Sequence, residues 1–336
     1  MIKVVFFHRK RALGNYSIEN LFKQLSYAFP KEIVWKNKEL SFYSNGFFKR
    51  LLIGIEAMFN QRDVNHITGD VNFIAMFLRK KRTILTIHDI GYMNHPNPIA
   101  RFLLVWFWIR IPAHCSSIIT TVSTATKTEL LKYVSIDPSS IKVIHNAFSP
   151  LFESYPKSFN SKRPRILQIG TKHNKNLIRL IQALEGINCE LDLVGALNDE
   201  ILKELKARGV DYITSANISD EEMVKKYQQA DVVSFVSTYE GFGIPILEAN
   251  SIGRVVVTSN ILSMPEVAGD AAHLVDPFEV TSIREGFFKV VNDDEYRAKL
   301  IANGFNNIER FKVDEIAKQY CELYRTLAES NSILAN

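Results

Sequence analysis

The sequence predicts an α/β protein of two doubly wound domains, each a parallel sheet wrapped by helices, the two facing a central cleft. Three observations point there. Short β-branched runs alternate with amphipathic helical stretches along most of the chain. The alternation stops between about residues 146 and 164, where NAFSPLFESYPKSFNSKRP carries three prolines and no periodicity. And 336 residues is about twice the length of an ordinary domain.

In the first half, strands are expected at 2–7, 33–35, 64–67, 83–88, 117–122 and 141–144. Helical stretches fall near 17–29, 47–59, 72–78, 99–114 and 125–133. After the interruption the alternation resumes at Arg165. Strands are expected at 166–169, 189–194, 210–213, 232–236 and 255–258, with helices near 175–184, 199–208, 220–229, 244–251, 281–291 and 295–303. The domains are therefore drawn as 1–150 and 165–312, joined by a linker at 151–164. A last helix, near 313–330, follows a complete second domain and would pack back on the first. Paired doubly wound domains hold ligands outside the carboxyl ends of their strands.

Apolar residues make up 46% of the chain and charged residues 23%, as in a globular protein with sizeable cores. Cys115, Cys189 and Cys321 are far apart, with no CxxC, which fits reduced thiols of a cytoplasmic protein rather than a disulfide frame or a zinc site. MIKVVFFHRK reads as a first strand, not a signal peptide. The longest apolar run, Phe102 to Ala113, is interrupted by Arg110 and Pro112, against a membrane span. Charge is unevenly divided. Residues 1–160 hold 21 Lys and Arg against 10 Asp and Glu, a net of +11; residues 161–336 hold 20 against 26, a net of −6. A basic first half expects an anionic surface or has a merely solvated one.

The segment richest in chemistry is Ser237 to Asn250, STYEGFGIPILEAN, between an expected strand and an expected helix. Gly241 and Gly243 permit a tight turn and close approach of backbone to ligand. Pro245 suits a first helical turn. The N–H groups at a helix start there, around Gly243 and Ile244, would seat a phosphate. Glu248, one turn in, could accept hydrogen bonds from vicinal ribose hydroxyls, and Glu240 lies nearer to whatever the phosphate carries. The plain alternative is a glycine-rich turn with a solvated glutamate at each end.

At these residues the chain resembles the family 4 glycosyltransferases, retaining enzymes of the two-domain GT-B fold, also described as group 1. Their signature, EGFGxPxxE, reads EGFGIPILE from Glu240 to Glu248. The resemblance continues through GRVVVTSN (253–260), MPEVAGDAA (264–272) and Val275-Asp276-Pro277, and upstream at ISDEE (218–222), where Ser219 or Asp220 would cap a helix. It covers residues 165–325 closely.

The resemblance implies further roles. In IGTKHNKN (169–176), Lys175 would neutralise the departing diphosphate, assisted by Thr171 or Lys172. A lysine in a helix's first turn is unfavourable unless it shares an anion, which agrees with that role. His88, in Thr86-Ile87-His88-Asp89, would meet the transferred sugar or its phosphate, with Asp89 orienting a loop or the ring. Gly14, in HRKRALGN (8–15), would touch the donor phosphate, although the family usually has two glycines there. Phe242 belongs to the signature turn, and backbone near Gly195 and Ile213 would meet the base. Glu240 is either a nucleophile or a group that positions the sugar.

No Asp-x-Asp occurs, so neither a metal nor another cofactor is expected; electrostatic help would come from Lys175 and the helix start. No GxGxxG follows the first strand and no GxxxxGK[ST] occurs, against a nicotinamide dehydrogenase and a P-loop enzyme. The implied activity is transfer of a hexosyl group from a nucleotide diphosphate sugar, GDP-mannose or a UDP-hexose, to a glycan or lipid-linked acceptor in bacterial cell-surface polysaccharide or lipopolysaccharide assembly. The alternatives are a nucleotide-sugar epimerase of the same fold and a non-catalytic sugar-nucleotide-binding scaffold. Nucleic acid is not an expected partner. The basic half could dock on anionic lipid through Phe47–Ile53 and Phe102–Ile111, a peripheral place on the inner face of the membrane.

Overall fold

The computed structural model describes residues 1–10 and 17–333. Two compact units divide it: residues 1–147 with 313–336, and residues 148–312.

The first unit carries strands β1 (Ile2–His8), β2 (Ile33–Glu39), β3 (Val64–Ile67), β4 (Thr83–Ile87), β5 (Ile118–Thr121) and β6 (Ile141–Val143). They pair in parallel in the order β2-β1-β3-β4-β5-β6. β3 and β4 are buried at every position, as expected of a parallel sheet covered on both faces. The helices are α1 (Ser17–Tyr27), α2 (Phe47–Phe59), α3 (Pro98–Leu104), α4 (Ile111–His114) and α5 (Thr124–Leu131).

Two expectations are corrected here. The stretch 72–78 is not an α-helix but a 3-10 turn over Asn72–Phe77, packed into the core. The single helix expected over 99–114 is α3 and α4 joined by a π-helical segment, Val105–Arg110. Pro112 has no N–H to donate back along the helix, and a widened turn just before it absorbs the mismatch.

The second unit carries β7 (Arg165–Ile169), β8 (Glu190–Val194), β9 (Tyr212–Ser215), β10 (Val232–Phe235), β11 (Val255–Ser259) and β12 (His273–Val275). All pair in parallel, in the order β12-β11-β10-β7-β8-β9. Its helices are α6 (Leu177–Leu184), α7 (Asp199–Arg208), α8 (Asp220–Gln229), α9 (Ile244–Ile252), α10 (Met264–Ala268), α11 (Val280–Asn292) and α12 (Asp294–Asn307). β12 and α10 were not among the expected elements; at three and five residues they are too short to show a period. Ser219 caps α8 in a capping box with Glu222. α9 is apolar almost all round because it is packed on most sides, with Ile246, Leu247, Ala249 and Ile252 buried.

The segment expected as a linker has no helix or strand and lies against the second unit. Phe152 packs edge-on to Tyr227, its carbonyl accepts from the Ser251 hydroxyl, and Lys157 pairs with buried Asp231. The last helix, α13 (Val313–Ile333), belongs to the first unit: Tyr324 and Tyr320 are buried against Phe6, Phe22 and His66, and the Tyr324 hydroxyl is 2.8 Å from His66 Nδ1.

Candidate active site

In the second sheet the strand order reverses between β7 and β10. Loops leaving the carboxyl ends of two such strands diverge and open a crevice. The loop after β7 holds Thr171, Lys172, Asn174 and Lys175; the loop after β10 holds Ser237 to Gly243 and leads into α9.

Asn174 ties the loops together. Its carbonyl accepts from Thr238 N at 2.8 Å, and its side-chain amide donates to Tyr239 O at 2.9 Å and to Glu240 Oε1 at 3.2 Å. Lys175 Nζ donates to the same Glu240 oxygen at 2.7 Å and stands 4.8 Å from the centre of the Phe235 ring. Both partners are less than one-fifth exposed. The lysine stem lies along Gly170, where a Cβ would come within 3.1 Å of Lys175 Cε.

The local backbone corrects one expectation. Lys175 is not in the first turn of a helix. It ends a 3-10 turn, His173–Lys175, and Asn176 follows in the left-handed conformation before α6 begins at Leu177. Asn176 is buried and its amide donates to Val236 O at 3.0 Å and Pro277 O at 2.6 Å. Asparagine tolerates that backbone better than most residues and here satisfies two loop carbonyls as well. The break lets Lys175 turn toward Glu240 rather than along a helix.

The turn after Glu240 is set mainly by Gly243, at φ +122, which heads α9; Gly241 has no positive φ. No side chain caps α9, Pro245 offers no N–H, and Ile246 N bonds Gly243 O at 3.0 Å. The N–H groups of Gly243 and Ile244 head the helix, fewer donors than a full helix start offers. Ser263 buttresses the turn, its hydroxyl 2.6 Å from Phe242 O and 3.1 Å from Glu240 O. The Phe242 ring is buried edge-on against Phe311, so this residue offers its backbone to the turn and its side chain to the core.

Glu248 is half-buried in α9 and accepts the Tyr227 hydroxyl at 2.5 Å. Burial pushes its carboxyl up to about 7, partly opposed by that hydrogen bond. Next to β7, Thr171 Oγ1 donates to Ala196 O at 2.6 Å, and Gly195, at φ +142, leaves room for it: a Cβ there would lie 2.9 Å from Thr171 Cγ2. Lys172 is exposed on the rim of a concavity of about 350 Å³ that also includes Thr171, His173 and Arg179. Ile213 sits half-buried within β9.

His88 belongs to the first unit, where it follows β4. Its Nε2 is 2.7 Å from Thr68 O, an acceptor only, so Nε2 carries the proton. Burial holds the ring below its ordinary pKa, against the raising influence of Thr68, Asp70 and Asp89. The neutral tautomer presents Nδ1 as an acceptor, suited to a sugar hydroxyl rather than to a phosphate. Asp89 orients the loop, accepting Gly91 N at 2.9 Å. Gly14 lies outside the described residues.

Sequence reasoning missed Asn174, Asn176, Tyr227 and Ser263. Asn174 and Asn176 flank Lys175 within the motif already singled out. Tyr227 and Ser263 act from α8 and from the loop before α10, and no local signal marks them.

Two doubly wound units of parallel strands make this a protein of the GT-B class, and solved structures share the fold. Sucrose-phosphate synthase from Thermosynechococcus elongatus has a TM-score of 0.80 at 16% identity, covering 98% of this chain and 100% of that one. Anabaena HepE in complex with UDP-glucose has a TM-score of 0.76 at 17% identity, covering 97% and 100%. The description "Glycosyl transferases group 1" matches residues 152–307, and "Glycosyltransferase Family 4" matches residues 12–150. The chain belongs to the group 1, family 4 glycosyltransferases. Among curated relatives, O-antigen chain mannosyltransferase B of Escherichia coli is 28% identical over 277 residues, 74% of this chain and 71% of that protein. Matches to two other relatives cover 60% and 53% of those proteins' own lengths.

Proposed function

We propose that the enzyme is a retaining hexosyltransferase that takes its sugar from a nucleotide diphosphate sugar, GDP-mannose or a UDP-hexose, and passes it to a glycan or lipid-linked acceptor of cell-surface polysaccharide. The observation that carries this reading is the Lys175–Glu240 pair at the β7/β10 reversal, beside the uncapped start of α9. The similarity to an O-antigen mannosyltransferase supports the pathway, and UDP-glucose in the Anabaena neighbour supports the donor class.

In this reading the diphosphate meets the N–H groups of Gly243 and Ile244 and draws Lys175 toward itself. Glu248 accepts the ribose hydroxyls, and backbone near Gly195 and Ile213 meets the base. The anomeric carbon then lies near Glu240. When Lys175 turns to the diphosphate, that carboxylate keeps the Asn174 amide as a donor, which lowers its nucleophilicity and suits it to orienting the sugar. The acceptor hydroxyl attacks the anomeric carbon as the bond to the diphosphate breaks. Its proton passes to the departing phosphate on the same face, which retains configuration. His88 Nδ1 accepts from a hydroxyl of the transferred sugar. Leaving-group stabilisation falls to Lys175 and the helix start, without a metal.

A calorimetric screen of nucleotide sugars, followed by turnover with lipid-linked acceptors, tests the proposal. Tight binding of one donor and product of unchanged anomeric configuration are expected. Failure of every nucleotide sugar to bind, or equal binding by Glu248→Ala, would overturn the donor assignment.

A further inference from the structure

Helix α8 is polar along most of its length and buries a single residue, Tyr227. Phenylalanine would meet the packing need there; a buried phenol also requires a partner for its hydroxyl. That partner is Glu248 Oε2 on α9, 2.5 Å away. Taking a hydroxyl and a carboxylate out of water together is costly, and an apolar pair of the same size would serve the fold as well. The pair therefore has a use other than stability.

Tyr227 is the fixed partner of the two. Its ring meets Phe152 edge-on, with centres 5.2 Å apart and planes at 83°. Its carbonyl accepts from Arg254 Nε at 3.0 Å, and the next carbonyl, of Gln228, accepts from Arg254 Nη2 at 2.8 Å. Arg254 follows α9 and is buried, and its Nη1 donates to Ile252 O and Gly253 O at 3.3 and 3.1 Å. One guanidinium thus ties the end of α8 to the end of the helix that carries Glu248. The phenol cannot move to suit the glutamate, so the glutamate, with more rotatable bonds, is held in one rotamer by the phenol.

The hydrogen bond also divides the carboxylate. Oε2 is taken, and among the described residues no other side chain donates to Glu248, which leaves Oε1 for a ligand. Burial, and then the charge of Glu248, keep the Tyr227 hydroxyl well above its ordinary pKa, so it stays protonated and donates. On Glu248, burial and the nearby Asp220 at the start of α8 oppose ionisation, and the Tyr227 hydrogen bond favours it.

Resting on the assignment of Glu248 to the donor ribose, we propose that Tyr227 is a positioning residue that fixes one oxygen of Glu248 so that the other meets the ribose hydroxyls. The preference for ribose over a deoxygenated sugar is then set by α8 as much as by α9, because an oriented, partly buried acceptor is left unpaired when the hydroxyls are missing.

The experiment is calorimetry of the full-length protein with UDP and GDP and with their 2′,3′-dideoxy counterparts, from about pH 6 to about pH 9. Wild type, Tyr227→Phe, Glu248→Ala and the double variant are compared, with thermal melts to check folding. Wild type should prefer the ribonucleotide, and Tyr227→Phe should lose about tenfold for it at neutral pH and little for the dideoxy form. The pH at which affinity rises should move upward in Tyr227→Phe, since the bond that favours the carboxylate is gone. Added to Glu248→Ala, the same substitution should change nothing further, because Tyr227 acts through Glu248. Equal losses for both nucleotides, or a further loss in the double variant, would give Tyr227 a packing role only and overturn the inference. So would a Tyr227→Phe variant with the affinity and pH profile of wild type; if Glu248→Ala still loses the preference for ribose, the donor-site reading stands without it. A wild type indifferent to the ribose hydroxyls would overturn both.

Discussion

Lys175 and Glu240 are 65 residues apart in the chain and 2.7 Å apart in the structure. Each answers the other's charge, so a diphosphate would have to compete with Glu240 for the lysine. Lys175→Met should therefore weaken nucleoside diphosphate binding by roughly tenfold to a hundredfold, the worth of a charge-assisted hydrogen bond. Binding of the corresponding monophosphate should change little. Calorimetry with the two nucleotides checks this; equal losses for both would place Lys175 away from the second phosphate.

Glu248 makes donor binding depend on pH. With its carboxyl at about 7, raised chiefly by burial, the acceptor form is largely lost by pH 6. Donor affinity should rise about tenfold between pH 6 and pH 8. In Glu248→Gln that dependence should vanish, with affinity low throughout.

The same shift has a sign for stability. Folding raises this pKa above its ordinary 4.5, so the folded chain binds the proton better than the unfolded chain. The contribution is fully present below pH 4.5 and is lost as pH rises through about 7. Denaturant melts of wild type and Glu248→Gln over this window should converge at the acid end and separate at the alkaline end, with wild type the less stable.

Gly243 and Gly186 both have positive φ, +122 and +72, but only Gly243 is crowded, with a Cβ placed 3.2 Å from Ile246 and 3.3 Å from Phe235. Gly186→Ala should cost about 1 kcal/mol from backbone strain and leave donor binding alone. Gly243→Ala should cost more and weaken donor binding, because the start of α9 must shift. Thermal melts with and without nucleotide separate the two effects.

His88→Ala removes the acceptor nitrogen from the first unit. A fall in kcat on the order of 10² is expected, by analogy with loss of one oriented polar contact at a reacting centre. Nucleotide affinity, carried by the second unit, should be unchanged. Steady-state kinetics and calorimetry on one preparation test both halves of the statement.

Much of the fold was legible because a parallel sheet buried on both faces needs continuous β-branched strands, and such runs stand out: VVVTS of β11 is buried at every residue. The EGFGIPILE motif was legible for a related reason. A strand, a turn through glycine and a helix opening on proline are local demands on consecutive residues. The break at Asn176 was not, since the polar residues before it carry no period and left-handed asparagine leaves no local mark of its own. The π turn before Pro112 was hidden too, because the side-chain pattern continues through it.

By itself the sequence determined the doubly wound class, the strand-turn-helix that carries Glu240 and Glu248, and the loop that carries Lys175. Tertiary structure alone decided that Lys175 and Asn174 both bind Glu240, that Tyr227 donates to Glu248, that His88 offers Nδ1, and that the outer faces of α2 and α3 are left uncovered. The physical reason is range. Backbone geometry and periodicity act over a few residues and leave a mark in the sequence. A hydrogen bond between two loops depends on the order in which strands lie side by side, and whether an apolar helix face is covered depends on every element packed around it.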